Sequence, residues 1–144
     1  MILREIAMKV LIDTNIIIDL LANRGEFAEP AAQLFRLCEI GKVQGHVAAL
    51  SIANIVYIMR KELDRSQIES VLTKLSAIVT IADMKADDLH KAAALPIPDF
   101  EDALQSVCAS RLKADFIVTR NLKDFQLSKV MAVKPSELLE RIGE

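Results

Sequence analysis

Short apolar runs alternate along the chain with longer segments whose apolar residues recur every three or four positions. The run from Lys9 to Asp13 is short, apolar and followed by polar residues, which predicts a strand buried on both faces. Further strands are predicted at residues 45–50, 76–82, 115–119 and 129–133. Because strands that alternate with helices favour a parallel sheet, we predict a three-layer α/β/α sandwich with a central, mostly parallel sheet of four to five strands.

The helices are predicted from the apolar spacing and from residues that typically begin or end helices. Ser51, Asp64 and Asp99 each stand where an N-cap would open a helix, and Gly41 stands where one would end. The predicted helices cover residues 15–22, 30–40, 51–63, 65–75, 87–94, 99–112 and 135–142.

Length and composition indicate one folded unit. The 144 residues suit a single domain, assigned to residues 8–144, with residues 1–7 as a short N-terminal extension before Met8. Apolar residues make up 52% and charged residues 26%, which predicts a sizeable core rather than disorder. The net charge of -2 argues against a surface that binds nucleic acid by bulk electrostatics. A substrate that carries phosphate would therefore need a few local cations or a metal ion.

The cysteines and the apolar runs indicate the cellular compartment in which the protein is expected. Cys38 and Cys108 are far apart in helix-like patterns, which favours reduced thiols over a disulfide framework. No apolar run reaches the length of a membrane span, and charged residues interrupt the N-terminus where a signal peptide needs its apolar core. We therefore expect a cytoplasmic protein without a membrane partner.

Four aspartates fall where a parallel sheet would place a ligand site. Asp13 closes the first strand and Asp124 follows the fourth, so both belong at the carboxyl edge of the sheet. Asp99 and Asp102 are three residues apart in the first turn of one helix, which puts them on one face. Asp115 opens the fourth strand and belongs at the opposite edge. Converging carboxylates repel each other unless cations neutralise them, and such oxygen ligands suit Mg²⁺ or Mn²⁺ and metal-assisted phosphodiester hydrolysis.

Each of these acids also has a purely structural interpretation. Asp13 and Asp99 could cap the helices that follow them, with Asp102 at the capping-box position, and Asp124 could end a turn. Asp19 is expected on a solvated helix face. The remaining acids assigned to caps and solvated faces are Asp83, Asp87, Asp88 and Asp115.

At these residues the chain resembles a PIN domain, in the toxin-like branch typified by VapC ribonucleases. The resemblance runs from Met8 to about Leu139 and is carried by the blocks KVLIDTNIIIDLL, PDFEDALQSVCASRLKADFIVTRN and LKDF. It implies a metal-dependent endoribonuclease that hydrolyses RNA and is the toxin of a type II toxin–antitoxin pair. It also implies a homodimer and a small antitoxin protein as partner.

The family pattern has an acid after strand one, a glutamate in the helix after strand two, an acid that opens the long helix and another after strand four. Asp13 and Asp102 match the first and third positions, while Asn54 and Asn121 stand at the second and fourth. Asp99 and Asp124 are additional acids nearby, and the resemblance makes all four aspartates candidates for the catalytic and metal-binding set. Five other residues are candidates for holding these acids or contacting substrate: Asn15, Asn54, Asn121, Thr119 and Arg120.

The two asparagines leave a second function open. Without two of the usual acids, the chain could be a catalytically weakened PIN-fold module that binds RNA or protein. A third hypothesis is a receiver-like or phosphatase-like domain with Asp13 as phosphoacceptor. No second acid lies two residues after Asp13, and no lysine follows a late strand in a Thr-x-Lys pattern, which disfavours that third hypothesis.

Overall fold

The computed structural model describes residues 7–143, and its strands form one sheet with helices on both faces. Within these residues there are five strands: β1 (Met8–Ile12), β2 (Val43–Ala48), β3 (Thr80–Ala82), β4 (Phe116–Val118) and β5 (Ala132–Val133). The described α-helices are α1 (Thr14–Leu21), α2 (Ala28–Glu39), α3 (Ala49–Ile58), α4 (Arg65–Ile78), α5 (Ala86–Ala93), α6 (Phe100–Leu112) and α7 (Pro135–Ile142). Short 3₁₀ helices occur at Gly25–Phe27 and Leu122–Phe125.

The strand order is β3-β2-β1-β4-β5, and every neighbouring pair is parallel. The chain builds β2 and β3 on one side of β1 and later adds β4 and β5 on the other side, so the order reverses between β1 and β4. Ile12 is in register with Val118, and the next backbone N–H, that of Asp13, donates to the Val118 carbonyl at 2.9 Å. In open parallel sheets ligands bind at the carboxyl ends of the strands at such a reversal. A ligand site is therefore expected at the residues that follow β1 and β4.

Alternate side chains of β1 enter two different cores. Val10 and Ile12 pack with residues of α1, α2, α4 and α7, whereas Leu11 packs with Ile117 and with Ala109 of α6. Val10, Leu11 and Ile12 are all completely buried, which confirms the prediction of a strand covered on both faces. The three-layer α/β/α architecture is therefore confirmed.

Most predicted elements are confirmed, with shifted ends. The helix α7 has the predicted bounds, and the predicted Asp64 N-cap of α4 forms a reciprocal capping box with Gln67. Gly41 follows the end of α2 with a φ of 82°, a left-handed conformation that glycine adopts without steric cost. Asp115 accepts the Lys9 N–H at 2.9 Å, at the amino end of the sheet as predicted.

Two predictions of local structure were wrong. The strand predicted at residues 76–82 is only three residues long, because α4 continues to Ile78. Ser51 does not cap α3, since this helix begins at Ala49 and Ser51 lies buried inside its first turn. Both errors concern apolar segments in which helix and strand have similar patterns.

Cys38 and Cys108 are buried free thiols, in agreement with the prediction of reduced cysteines. Among residues 7–143 the structure contains no helix with the length and apolar character needed to cross a membrane. The extension predicted at residues 1–7 lies outside the described residues, apart from Ala7.

Candidate active site

Asp13 emerges from the end of β1 and caps α1. The residue is only 7% exposed, and its carboxylate accepts two hydrogen bonds, from the Thr14 backbone N–H and from the Thr119 hydroxyl, each at 2.8 Å. Thr119 follows β4 directly and is itself completely buried. The adjacent ends of two parallel strands therefore hold this carboxylate in one orientation.

The environment of Asp13 opposes its ionisation. Burial raises the pKa of Asp13 above its ordinary value, the hydrogen bonds from Thr119 and Thr14 lower it, and the negative charges of Glu101 and Asp124 raise it again. The net direction is upward. The two donors thus hold a carboxylate whose surroundings favour the protonated form.

Asp102 lies in the first turn of α6 and shares this environment. Partial burial, followed by the negative charges of its neighbours, raises the pKa of Asp102 to about 7. These neighbouring acids, in order of decreasing effect, are Asp99, Asp13, Asp124 and Glu101. The structure therefore brings the four sequence-predicted aspartates close enough for their charges to interact, and it adds Glu101 to them.

Asp99 and Asp124 belong to two further segments near Asp13 and Asp102. Asp99 is the N-cap of α6 and accepts the backbone N–H of Asp102 at 3.0 Å, so the capping interpretation is correct for this residue. Its charge nevertheless acts on Asp102. Asp124 is exposed in the 3₁₀ helix after β4. Among residues 7–143, no three acidic, histidine or cysteine side chains are arranged to enclose a metal ion.

The chemistry of the donors nevertheless fits a small divalent cation. All donors in the cluster are carboxylate oxygens, which hard ions such as Mg²⁺ and Mn²⁺ prefer. The buried Oδ1 of Asn15, two residues after Asp13, has no hydrogen-bond partner in the described structure. A cation would offset the burial and the neighbouring negative charges that together raise the pKa of Asp102.

Asn121 and Asn54, which stand where the resemblance implies acids, make different contacts. Asn121 follows β4 and donates its backbone N–H to the Thr119 hydroxyl at 3.0 Å, so its contribution to holding Asp13 passes through Thr119. Asn54, on α3, donates its side-chain amide to a carboxylate oxygen of Glu101 at 2.6 Å. Sequence reasoning overlooked Glu101, although three acids within the four residues 99–102 were a visible signal.

A buried polar group beneath the acids joins three helices. The Ser51 hydroxyl accepts hydrogen bonds from the Thr14 hydroxyl at 2.8 Å and from the Gln105 amide at 2.6 Å. These residues belong to α3, α1 and α6. Most buried polar groups are hydrogen-bonded, and these bonds link the helices that carry Asp13 and Asp102, although the buried Oε1 of Gln105 has no partner in the described structure.

Arg120 is engaged with Asp19 rather than pointing freely at the acids. Its guanidinium makes two bonds to the Asp19 carboxylate, at 2.6 and 3.1 Å, and stacks on the ring of Phe27 at 4.3 Å. The expectation that Asp19 is solvated was wrong: the residue is completely buried, because Arg120 neutralises it. Arg120 and Lys134 also line an open cleft of about 450 Å³ that Asn121 borders.

Replacing Thr119 by Val is expected to raise the pKa of Asp13 further and to destabilise the fold. Valine keeps the volume but removes the hydroxyl donor, which should lower the free energy of unfolding by about 1–3 kcal/mol. The loss should be larger at pH 8 than at pH 4, because only the ionised carboxylate loses a charge-assisted bond. Urea unfolding at both pH values measures it, with Thr80→Val, at an exposed position of β3, as the matched control. Equal losses at the two pH values would contradict this role of Thr119.

Comparison with known proteins concerns the family and the fold. The model of a family described as PIN domain matches residues 9–123 of the chain. A toxin–antitoxin complex from Klebsiella pneumoniae is 25% identical, with a TM-score of 0.68 over 88% of this chain and 97% of that one. VapBC2 from Rickettsia felis, solved with a DNA fragment from its promoter, is 18% identical, with a TM-score of 0.69 over 88% and 98% of the two chains.

A third solved structure extends the comparison. VapC20 from Mycobacterium tuberculosis, described as a sarcin-ricin loop cleaving toxin, is 15% identical, with a TM-score of 0.59 over 75% of this chain and 86% of that one. A search of curated proteins found no match. The solved structures share the fold described above.

Proposed function

We propose that this chain, which belongs to the PIN domain family, is a metal-dependent endoribonuclease that hydrolyses RNA phosphodiester bonds. One observation carries the proposal. At the reversal of strand order, Asp13 and Asp102 lie in a cluster of acids whose burial and repulsion raise the pKa of Asp102 to about 7. A protein retains such unfavourable charge where a cation or a reaction uses it.

In this mechanism Asp13 and Asp102 hold Mg²⁺ or Mn²⁺, with Asp99 or Asp124 completing the set. The bound ion would activate water and stabilise the charge on the phosphate. Thr119 keeps the Asp13 carboxylate oriented, and the Oδ1 of Asn15 is available as an acceptor beside it. Asp102 must release its proton before it can bind an ion, so cleavage at a limiting concentration of metal should rise with pH.

Substrate would reach the acids beside β4. Arg120, Lys134 and Asn121 border an open cleft there, which Asp19 and Glu26 also line. Because Arg120 is paired with Asp19, Lys134 is the cation of this cleft that is available to the RNA backbone. Hydrolysis by activated water needs no covalent intermediate with the enzyme. The overall charge of -2 makes such local cations more important.

The proposal extends to the biological setting. The chain would be the toxin of a type II toxin–antitoxin pair, because the similar Klebsiella pneumoniae structure is a toxin–antitoxin complex. It would form a homodimer and bind an antitoxin, and the exposed apolar side chains of Tyr57 and Ile58 on α3 are available for such contacts. The buried free thiols support a location in the cytoplasm.

A second function has a specific observation in its favour. Neutral amides occupy two family-acid positions, and no three described side chains are already arranged around an ion. A PIN-fold module that binds RNA or protein without turnover would show these features. It predicts metal-independent RNA binding with no cleavage.

The test incubates purified protein with a panel of structured RNAs, with Mn²⁺, Mg²⁺ or a chelator. Wild-type protein should cleave only with metal, and Asp13→Asn should lower the cleavage rate by at least ~100-fold, since even outer ligand partners contribute 10–100-fold. Asp115→Asn is the matched control, because the same change is made at the opposite edge of the sheet. Cleavage that survives Asp13→Asn or chelation would contradict the proposal.

A further inference from the structure

The open cleft of about 450 Å³ lies beside the acids, on the side of α1 and α7. Asn121 borders this cleft, and the Asn121 backbone N–H donates to the Thr119 hydroxyl that holds Asp13. The volume is within the roughly 300–1,000 Å³ of pockets that take small ligands. A chemical group bound in the cleft would therefore lie next to the proposed site of hydrolysis.

Phe27 and Arg120 form a stacked pair in the wall of the cleft. Phe27 is 42% exposed, and the Arg120 guanidinium lies 4.3 Å from the centre of its ring. Nε and Nη2 of this guanidinium donate to the Asp19 carboxylate at 2.6 and 3.1 Å, which holds the guanidinium plane in place. Unpaired bases of RNA stack on aromatic rings and on guanidinium planes. The pair thus offers a fixed platform to a planar ring.

The charges of the cleft favour a base over a phosphate group alone. Two acids, Asp19 and Glu26, and two cations, Arg120 and Lys134, line it. Because these charges balance, the cleft has no excess of positive charge that would attract a phosphate backbone. An aromatic ring and two prolines supply apolar surface beside the charges. Apolar surface with a few polar groups suits a nucleobase.

We propose that this cleft holds one unpaired base of the RNA substrate, stacked on Phe27 and Arg120, with Lys134 at the phosphate of the same nucleotide. This inference rests on the proposed function and adds to it the feature of the RNA that is recognised. A base inside a duplex is stacked on both faces and cannot enter the cleft. The substrate therefore needs an unpaired nucleotide next to the bond that is cleaved.

Glu26 adds a preference among bases. Its carboxylate lines the cleft and only accepts hydrogen bonds when ionised. Adenine, cytosine and guanine carry an amino group that can donate to it, whereas two carbonyl oxygens flank the single N–H on the pairing edge of uracil. The cleft should therefore bind an amino-bearing base more tightly than uracil.

The test of the platform measures RNA binding in chelator, where metal-dependent cleavage does not occur. The probe is a single-stranded RNA hexamer with a fluorescein label, and fluorescence anisotropy gives its affinity. Phe27→Leu should weaken binding by at least ~5-fold, the usual effect of losing one stacked base. Phe27→Tyr keeps the ring and should bind as wild type.

The matched control is Phe116→Leu, because Phe116 is also stacked by an arginine, Arg141, at 5.1 Å. Phe116 begins β4, at the edge of the sheet opposite the acids, so its replacement should leave RNA binding unchanged. Denaturant unfolding of each variant shows that the comparison is made between folded proteins. The same hexamer paired with its complement should bind wild-type protein more weakly than the single strand.

The preference among bases is tested with hexamers of adenosine, cytidine or uridine. Wild-type protein should bind the uridine hexamer most weakly, and Glu26→Gln should reduce the difference, because an amide can also donate to the uracil carbonyls. Glu69→Gln, at an exposed position of α4, is the control for the loss of one surface charge.

The outcomes separate this inference from the proposed function. If Phe27→Leu binds the hexamer as tightly as wild type, while wild type cleaves RNA only with metal, the base site is refuted and the function stands. Equal affinity for duplex and single strand also refutes the base site. If wild-type protein neither binds nor cleaves RNA, both are refuted. Weaker binding by Phe27→Leu but not by Phe27→Tyr or Phe116→Leu supports the site.

Discussion

Replacing Asp102 by Asn should lower metal-dependent RNA cleavage by at least ~100-fold and, at the same time, stabilise the metal-free protein at pH 8. The two effects have one origin. Asp102 is partly buried among other acids, so its ionised form is unfavourable unless a cation is bound. Asparagine removes the negative charge of residue 102, which repels the neighbouring acids in the metal-free protein and attracts the cation.

The pH dependence follows from the raised pKa of Asp102, about 7 against an ordinary 3.8. An acid whose pKa is raised by folding contributes stability that is fully present below the ordinary pKa and is lost as pH rises through the folded pKa. The ionised Asp102 carboxylate therefore lowers the free energy of unfolding of the wild-type protein by its full amount well above pH 7. After allowance for solvent screening at this partly exposed site, the gain on substitution should be on the order of 1 kcal/mol at pH 8 and smaller at pH 5.

Urea unfolding of wild type and Asp102→Asn in chelator, at pH 5 and pH 8, measures this gain. Asp115→Asn is again the control, since its carboxylate accepts a backbone N–H far from the cluster. Added Mn²⁺ should raise the stability of wild type and leave that of Asp102→Asn nearly unchanged. A variant that is no more stable than wild type at pH 8 would show that the acids do not repel one another as proposed.

Replacing Arg120 by Met should destabilise the protein by about 3 kcal/mol, because it leaves the buried Asp19 carboxylate without its cation. Methionine keeps contact with the ring of Phe27, so lost packing contributes little. Denaturant unfolding measures the loss. The double variant Arg120→Met with Asp19→Asn should be more stable than Arg120→Met alone, since no unpaired charge then remains buried.

This pair of variants also separates structural and substrate roles of Arg120. A residue that acts only on RNA would raise the KM for RNA and leave the free energy of unfolding unchanged. If the guanidinium instead stabilises the fold through Asp19, its removal lowers the free energy of unfolding. If Arg120→Met unfolds at the wild-type urea concentration, the ion pair contributes nothing to stability, which contradicts this prediction.

The apolar periodicity of the chain determined the architecture. The buried character of β1, the capping box at Asp64 and the bounds of α7 were all readable from residues within a few positions of one another. Strands β4 and β5 are shorter than the apolar runs at residues 115–119 and 129–133 predict, because the pattern of a single strand does not indicate how far its pairing extends. Asp13 was recognisable because an acid directly after a buried strand lies at the carboxyl edge of a parallel sheet.

Only the tertiary structure decided which distant residues meet. Thr119 holds Asp13 across 106 positions of sequence, Asn54 holds Glu101 across 47, and Arg120 neutralises Asp19 across 101. Local patterns indicate whether a side chain faces a core, but its hydrogen-bond partner depends on strand order and helix packing. The sequence by itself therefore determined the layers and located the acids, whereas the fold selected the groups that orient, neutralise or repel them.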